Sequence, residues 1–182
     1  MKRKLLYFVV FIATFLFTSC GTTSVLKSRY LANNSILSEQ SFDDVWEKVI
    51  DYFAVANLPI SVLDKSSGLI TVQNITIGET LVTMEDKDGK LINKNAWFVL
   101  PYQKAYKGWK CVANKVNCSF NVRVKEIDET KTQITLNIGN IQGIRVYEGF
   151  DMYFHFVRNE QPTYEQCVST GVFENHLFNY IN

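Results

Sequence analysis

Histidine is scarce in this chain, with 2 in 182 residues, and neither sign of charge dominates, with 19 Lys and Arg against 18 Asp and Glu. So few imidazoles leave little from which to build a zinc centre. A basic stripe, the footprint of nucleic-acid binding, is missing too. The serine-hydrolase G-x-S-x-G and HExxH signatures and a phosphate-gripping glycine loop are all absent. The carboxylates are scattered through turns, so no acid/base pair stands out for glycoside chemistry. Internal repeats and low-complexity tracts are lacking, and beyond residue 19 no apolar segment approaches the ~20 residues of a membrane-spanning helix.

What is present begins at the N-terminus. Lys2, Arg3 and Lys4 form a basic start, and residues 5–17 are an almost unbroken apolar run shorter than a spanning helix. Small residues then lead into a cysteine. The order reads as an export signal, and Leu16-Phe17-Thr18-Ser19-Cys20 resembles the bacterial lipobox, although Phe17 is bulkier than usual in its slot. That resemblance implies cleavage before Cys20 and acylation of its thiol. The other readings are an ordinary signal peptide containing a cysteine, or an uncleaved anchor. The expected organisation is signal peptide 1–19, lipidated Cys20 and tether 20–34, and a single domain 35–182. Three of the basic residues leave with the signal, so 16 remain against 18 acids, a formal charge of −2.

Beyond Cys20 there are three cysteines, Cys111, Cys118 and Cys167, in a compartment expected to be oxidising. Three thiols cannot all pair. Cys111 and Cys118 enclose six residues, a loop that a disulfide would close easily, and free thiols are the alternative. No metal and no cofactor is expected.

The body predicts an α+β fold. Ser35-Ile36-Leu37-Ser38 suits a short first strand. Ser41 and Asp44 make a capping box, and Phe42, Val45, Trp46, Val49, Phe53 and Ala56 recur at helical spacing. Asn57 and Pro59 end that helix. Strands follow at Ile60–Val62, 69–72, 81–84 and 96–100, with Gly68 supplying a positive φ and Asp86-Lys87-Asp88-Gly89-Lys90 a charged, solvated hairpin turn. Asp86-x-Asp88-Gly89 tempts a calcium reading but lacks the later ligands of an EF-hand loop. Phe120, Val122 and Val124, then Ile134, Leu136 and Ile138, alternate about a turn at 128–131, the signature of an antiparallel hairpin wet on one face. Further extended pieces are expected at 144–146 and 152–156, and a last helix from Pro162 to about Tyr180. The expected assembly is two-layer: an antiparallel sheet with the N-terminal helix and a long C-terminal helix packed on one face.

Residues 101–117 keep no period and read as a loop excursion. Tyr102, Tyr106 and Trp109 with several lysines suit a partner contact; the alternative is that these rings pack back on the sheet. A Cys–His nucleophile could be drawn from Cys167 with His155 or His176, but a packed thiol is the commoner fate of such a cysteine.

Residues 41–72 carry a resemblance. Phe42-x-x-Val45-Trp46, then Leu58-Pro59-Ile60, then Asp64-Lys65-Ser66-Ser67-Gly68-Leu69-Ile70 resembles the N-terminal half of a BamC-type domain, from an accessory lipoprotein of the outer-membrane barrel-assembly machine. Gly171-Val172-Phe173-Glu174-Asn175-His176-Leu177-Phe178-Asn179-Tyr180-Ile181-Asn182 is similar to the closing helix of such domains. Together these cover about a third of the chain after the signal; there is one domain rather than several, and residues 75–117 have no counterpart. The resemblance implies a helix, an antiparallel sheet and a final helix, and no catalytic residues. The expected function is a lipid-anchored, non-catalytic interaction or assembly module of the bacterial envelope. It would sit at the outer membrane facing the periplasm, held by its acyl chains beside an envelope-protein partner. Gly21 after Cys20, and the lack of acids in residues 21–29, suit that address. A helix-grip domain binding a small apolar ligand is the alternative, and an enzyme the least favoured.

Overall fold

The computed structural model describes residues 25–103, 109–163 and 167–182; Cys20 and Tyr106 lie outside them. Among the described residues nine strands and two α-helices follow in the order β1 (Ser35–Ser38), α1 (Phe42–Val55), β2 (Val62–Asp64), β3 (Leu69–Ile77), β4 (Val82–Met84), β5 (Phe98–Leu100), β6 (Lys110–Asp128), β7 (Lys131–Phe150), β8 (Phe156–Thr163), β9 (Val168–Ser169) and α2 (Val172–Ile181). The fold is α+β and mostly antiparallel, as its alternating segments require.

Helix α1 forms where its cap and period place it. Ser41 Oγ accepts from the Asp44 amide and donates to the Asp44 carboxylate at 2.7 Å, satisfying an orphan donor of the first turn. Val45, Trp46, Val49 and Phe53 are buried on one face, and Asn57 (φ 54°) turns the chain out of the helix.

The larger sheet runs β1-β7-β6-β3-β2, with β8 pairing the far end of β7. Its axis is the β6–β7 hairpin, paired from Asp128↔Lys131 to Lys110↔Glu148 with shifts of register along the way. Midway, β3 slips register between Val72 and Ile75 and β6 between Asn117 and Ser119, while Asn74 and Asn140 adopt positive φ. Such bulges bend and twist a strand pair. Gly68 (φ 68°) is required twice over, because a Cβ there would also strike the Val124 carbonyl. A second sheet, β4-β5-β9, pairs β4 and β5 in parallel.

One apolar cluster joins these parts. Phe173 of α2 lies 4.6 Å from both Trp97 and Phe120, centroid to centroid, and 5.8 Å from Tyr52 of α1. Arg145, fully buried, donates from Nη2 to the Pro101 carbonyl at 2.8 Å and lies 3.3 Å from Met84 Sδ, tying β7 to the smaller sheet.

Several expectations are corrected. Residues 110–117 are no loop but the first part of β6; their missing period follows from a bulge and from a strand covered unevenly on its two sides. The closing helix begins at Val172, ten residues after Pro162, which lies in β8 paired with Ile144. Gly171 (φ 87°) breaks the chain's direction there, so Val168 belongs to β9 and Tyr180 is exposed. The turn at 86–90 is closed by a Glu85–Leu91 bridge, but the strands on either side are parallel neighbours, not hairpin arms. Residues 152–155 form a turn rather than a strand.

Candidate functional site

A hairpin turn needs a residue to satisfy its crowded amides, and Asp is well suited to that task. At the β7–β8 connection Asp151 Oδ1 accepts from the amides of Tyr153 (2.8 Å) and His155 (2.9 Å). The Asp151 amide donates to the His155 carbonyl, and the Phe154 amide to the Asp151 carbonyl. His155 Nδ1 stands 3.3 Å from the other carboxylate oxygen. The turn is complete with backbone and Asp151 alone.

Its remaining side chains face outward. Phe150 is 61% exposed, Met152 81%, Tyr153 71%, Phe154 85% and Phe156 62%. Phe150 and Phe156 face each other in register with rings 5.9 Å apart, edge to face. Phe154 holds φ at 62°, a region that bulky residues seldom enter. Behind the tip the charges are paired: Arg158 with Glu79 (2.7 Å) and Glu148 (3.4 Å), and Lys115 with Glu160. Composition had placed these residues in a strand; five large apolar residues within seven positions, without alternation and behind Asp151, are the signal that could have marked a tip.

A second feature went unnoticed in the sequence. Glu85, fully buried, accepts from the Lys27 amide (2.8 Å), the Ser28 amide (2.9 Å) and the Tyr30 hydroxyl (3.0 Å). Ser28 Oγ donates to the Gly89 carbonyl at 2.6 Å, and Lys27 Nζ to the Lys87 carbonyl. Burial, first, and the bond to Glu85 push the Tyr30 hydroxyl up to about 12. The tether expected over 20–34 is therefore docked on the body from Lys27 onward, because a buried carboxylate needs those donors.

The expected contact residues are separated by their surroundings. Trp109 is half-buried, its ring so close over Gly149 that a Cβ there would stand 2.8 Å from Trp109 Cδ2. Tyr102 is at the surface and Tyr106 lies outside the described residues. Gln103, their neighbour, accepts a hydrogen bond from the Tyr147 hydroxyl.

The Cys111–Cys118 disulfide is excluded. Both residues lie on β6, where seven residues of strand span about 23 Å, against the 4.4–6.8 Å that a bridge allows between Cα atoms. Cys111, Cys118 and Cys167 are all free thiols. Burial pushes Cys118 and Cys167 up to about 12, the second also through Cys118. That is the opposite of an activated nucleophile. Cys111 is raised by burial as well, opposed by Arg145.

Among the described residues no group of three or more His, Cys, Asp and Glu is placed to hold a metal. Asp86 Oδ1 instead accepts from the amides of Asp88 and Lys90, and these backbone bonds hold its carboxyl below the usual range. No helix among them is long and apolar enough to cross a membrane. Among the described residues, one hollow of about 250 Å³ is lined by the polar residues Thr71, Gln73, Asn74, Ser119, Asn121 and Asn140.

Compared with known proteins, the chain matches no family model and no curated protein.

Proposed function

We propose that this chain is a lipid-anchored envelope protein, acylated at Cys20 after cleavage behind Ser19, whose body serves as a non-catalytic interaction or assembly module. The observation that carries the reading is the N-terminal order: three basic residues, an apolar run too short to span a bilayer, and Leu16-Phe17-Thr18-Ser19-Cys20. The Glu85 latch supports it, because it leaves a short leash between Cys20 and a folded body. Gly21 and the lack of nearby acids favour the outer membrane, facing the periplasm.

The body is read as a two-layer domain with both helices on one face of the larger sheet, similar in outline to the BamC type and extended by the β7–β8 hairpin. Phe173 of α2 meets the rings of Phe120 and Trp97, and Tyr52 and Phe53 of α1 meet Phe173, which supports that layering. They weigh against the helix-grip alternative, since Phe53, Phe98, Phe120 and Phe173 fill the space an apolar ligand would need. The thiols buried at high pKa weigh against a cysteine enzyme.

Intact-mass measurement of protein purified from membranes tests the anchor. The expected species begins at Cys20 and carries a diacylglyceryl group, and Cys20→Ala should abolish both processing and acylation. A chain that is cut elsewhere, or unacylated, contradicts the reading.

A further inference from the structure

We propose that the β7–β8 tip, residues 150–156, is a second membrane contact that seats in the bilayer interface beside the acyl chains of Cys20. The proposal rests on the lipid-anchor reading for that first attachment and on the geometry of the tip for the second.

Five large apolar side chains exposed together on one turn exceed the scattered singles normal on a protein surface. Folding does not call for them, since Asp151 and the backbone complete the turn. Phe154 is held at a positive φ that Asn or Gly would take more readily, and burial does not explain it. An outlier retained at the most exposed point of the turn directs attention to what that point touches.

The chemistry fits a lipid interface. Phe and Met supply apolar surface, while Tyr153 offers a ring with a polar end, the type that gathers where hydrocarbon meets water. Entering such a region is costly for unpaired polar groups. Here the amides of Asp151, Tyr153, Phe154 and His155 are all donated within the turn. The tip is convex, which suits a fluid surface and needs no matching pocket. Residues 150–156 hold no Lys or Arg, and behind them Arg158 and Lys115 are engaged by Glu79, Glu148 and Glu160. Attraction should therefore be apolar and insensitive to salt.

Chain length permits both contacts at once. Seven residue steps separate Cys20 from the latched Lys27, a reach of about 25 Å. Glu85 follows Met84, which Arg145 touches, and the strand from Arg145 to Phe150 adds about 17 Å. Fully extended, the leash thus exceeds the rise of the strand from Arg145 to Phe150.

The test places a reporter on the tip of the full chain. Met152→Trp, purified with its N-terminal group and reconstituted into phosphatidylethanolamine–phosphatidylglycerol vesicles, is compared with the parent chain for quenching by acyl-brominated lipid. The added indole should emit at shorter wavelength than in water and be quenched several-fold more than the parent's Trp46, Trp97 and Trp109. High salt should not reverse this, and Phe150→Ser with Phe154→Ser and Phe156→Ser in the same chain should abolish it. Water-like, unquenched emission from chains that float with the vesicles would overturn the proposal. So would a shift that persists without vesicles and grows with protein concentration, which would assign the tip to a second copy. Intact mass of the same sample separates the two readings: a quenched tip without acyl groups sinks the anchor and keeps the tip, and an unquenched tip on an acylated chain does the reverse.

Discussion

Strand β7 ends in two hairpin turns, each organised by an aspartate and of opposite chemistry. At its start Asp128 Oδ1 accepts from the Thr130 amide and hydroxyl, at 2.9 and 3.0 Å, and the turn is filled by Glu129 and Thr130. At its end Asp151 Oδ1 accepts from the amides of Tyr153 and His155, and the turn is filled by Met152, Tyr153 and Phe154. An aspartate does the folding work in both. The polar turn shows that solvent-facing residues suffice there, so the aromatic surplus of the other calls for an explanation outside the fold. Between the two ends, Val122, Val124, Ile134 and Leu136 are buried, and similar apolar side chains have an opposite fate.

The contrast breaks first in the core if it is wrong. Phe173→Ala or Trp46→Ala should each cost about 3–5 kcal/mol, as large-to-small aromatic changes in a packed interior do, against a typical stability of ~5–15. Equilibrium urea unfolding measures it.

Next in size is the latch. Glu85→Ala removes three hydrogen bonds from the 27–30 segment and should cost about 1–3 kcal/mol. Limited proteolysis should then cut near Lys27 and Arg29 without exposing the core. A global unfolding instead would mean that Glu85 supports the smaller sheet rather than the tether.

A smaller effect distinguishes buried from exposed acids. Burial raises the Glu174 carboxyl above its usual range, opposed by a 2.8 Å bond from Ser169 Oγ. A folded pKa above the unfolded one means that the native state binds the proton more tightly. The contribution is thus full below the unfolded pKa and is lost as pH rises through the raised folded value. Asp128 runs the other way: its amide bond from Thr130, first, holds its carboxyl low, so its contribution is lost as pH falls. Glu174→Gln should flatten the Glu174 part of the stability–pH curve, and an unchanged curve would contradict this.

Smallest is Phe154→Asn, which relieves a positive φ at an exposed position and should leave stability unchanged or raise it by up to ~1 kcal/mol. Thermal unfolding would show it, and a clear loss would mean that the ring packs on something.

Local signals were legible wherever one residue or a covered face dictates geometry. Ser41, Asn57, Gly68 and the turn at 128–131 fall where sequence places them, as does the alternation of residues 120–124 and 134–138. The rest depended on pairing that no local pattern encodes. Residues 110–117 become strand because residues 143–148 stand beside them, and Pro162 is extended because Ile144 pairs with it. Pairing across 71 residues brings Phe98 beside Ser169, and a ring contact across 22 brings it to Phe120, without a trace in spacing. Exposure was the least legible quantity: Met152-Tyr153-Phe154-His155-Phe156 has the composition of a core strand, and only the position of residues 152–155 beyond the last pair, Phe150↔Phe156, makes it a tip. Glu85 offered no signal, since an acid beside a charged turn reads as solvated.

The most direct test of the contrast is equilibrium unfolding of the chain carrying Met152→Ser, Tyr153→Ser and Phe154→Ser together. Surface changes away from packed features usually stay within ~0.5 kcal/mol each. The account predicts a urea midpoint and slope close to the wild type's. A loss of several kcal/mol, on the scale of Phe173→Ala, would make the aromatic tip part of the core and contradict the account.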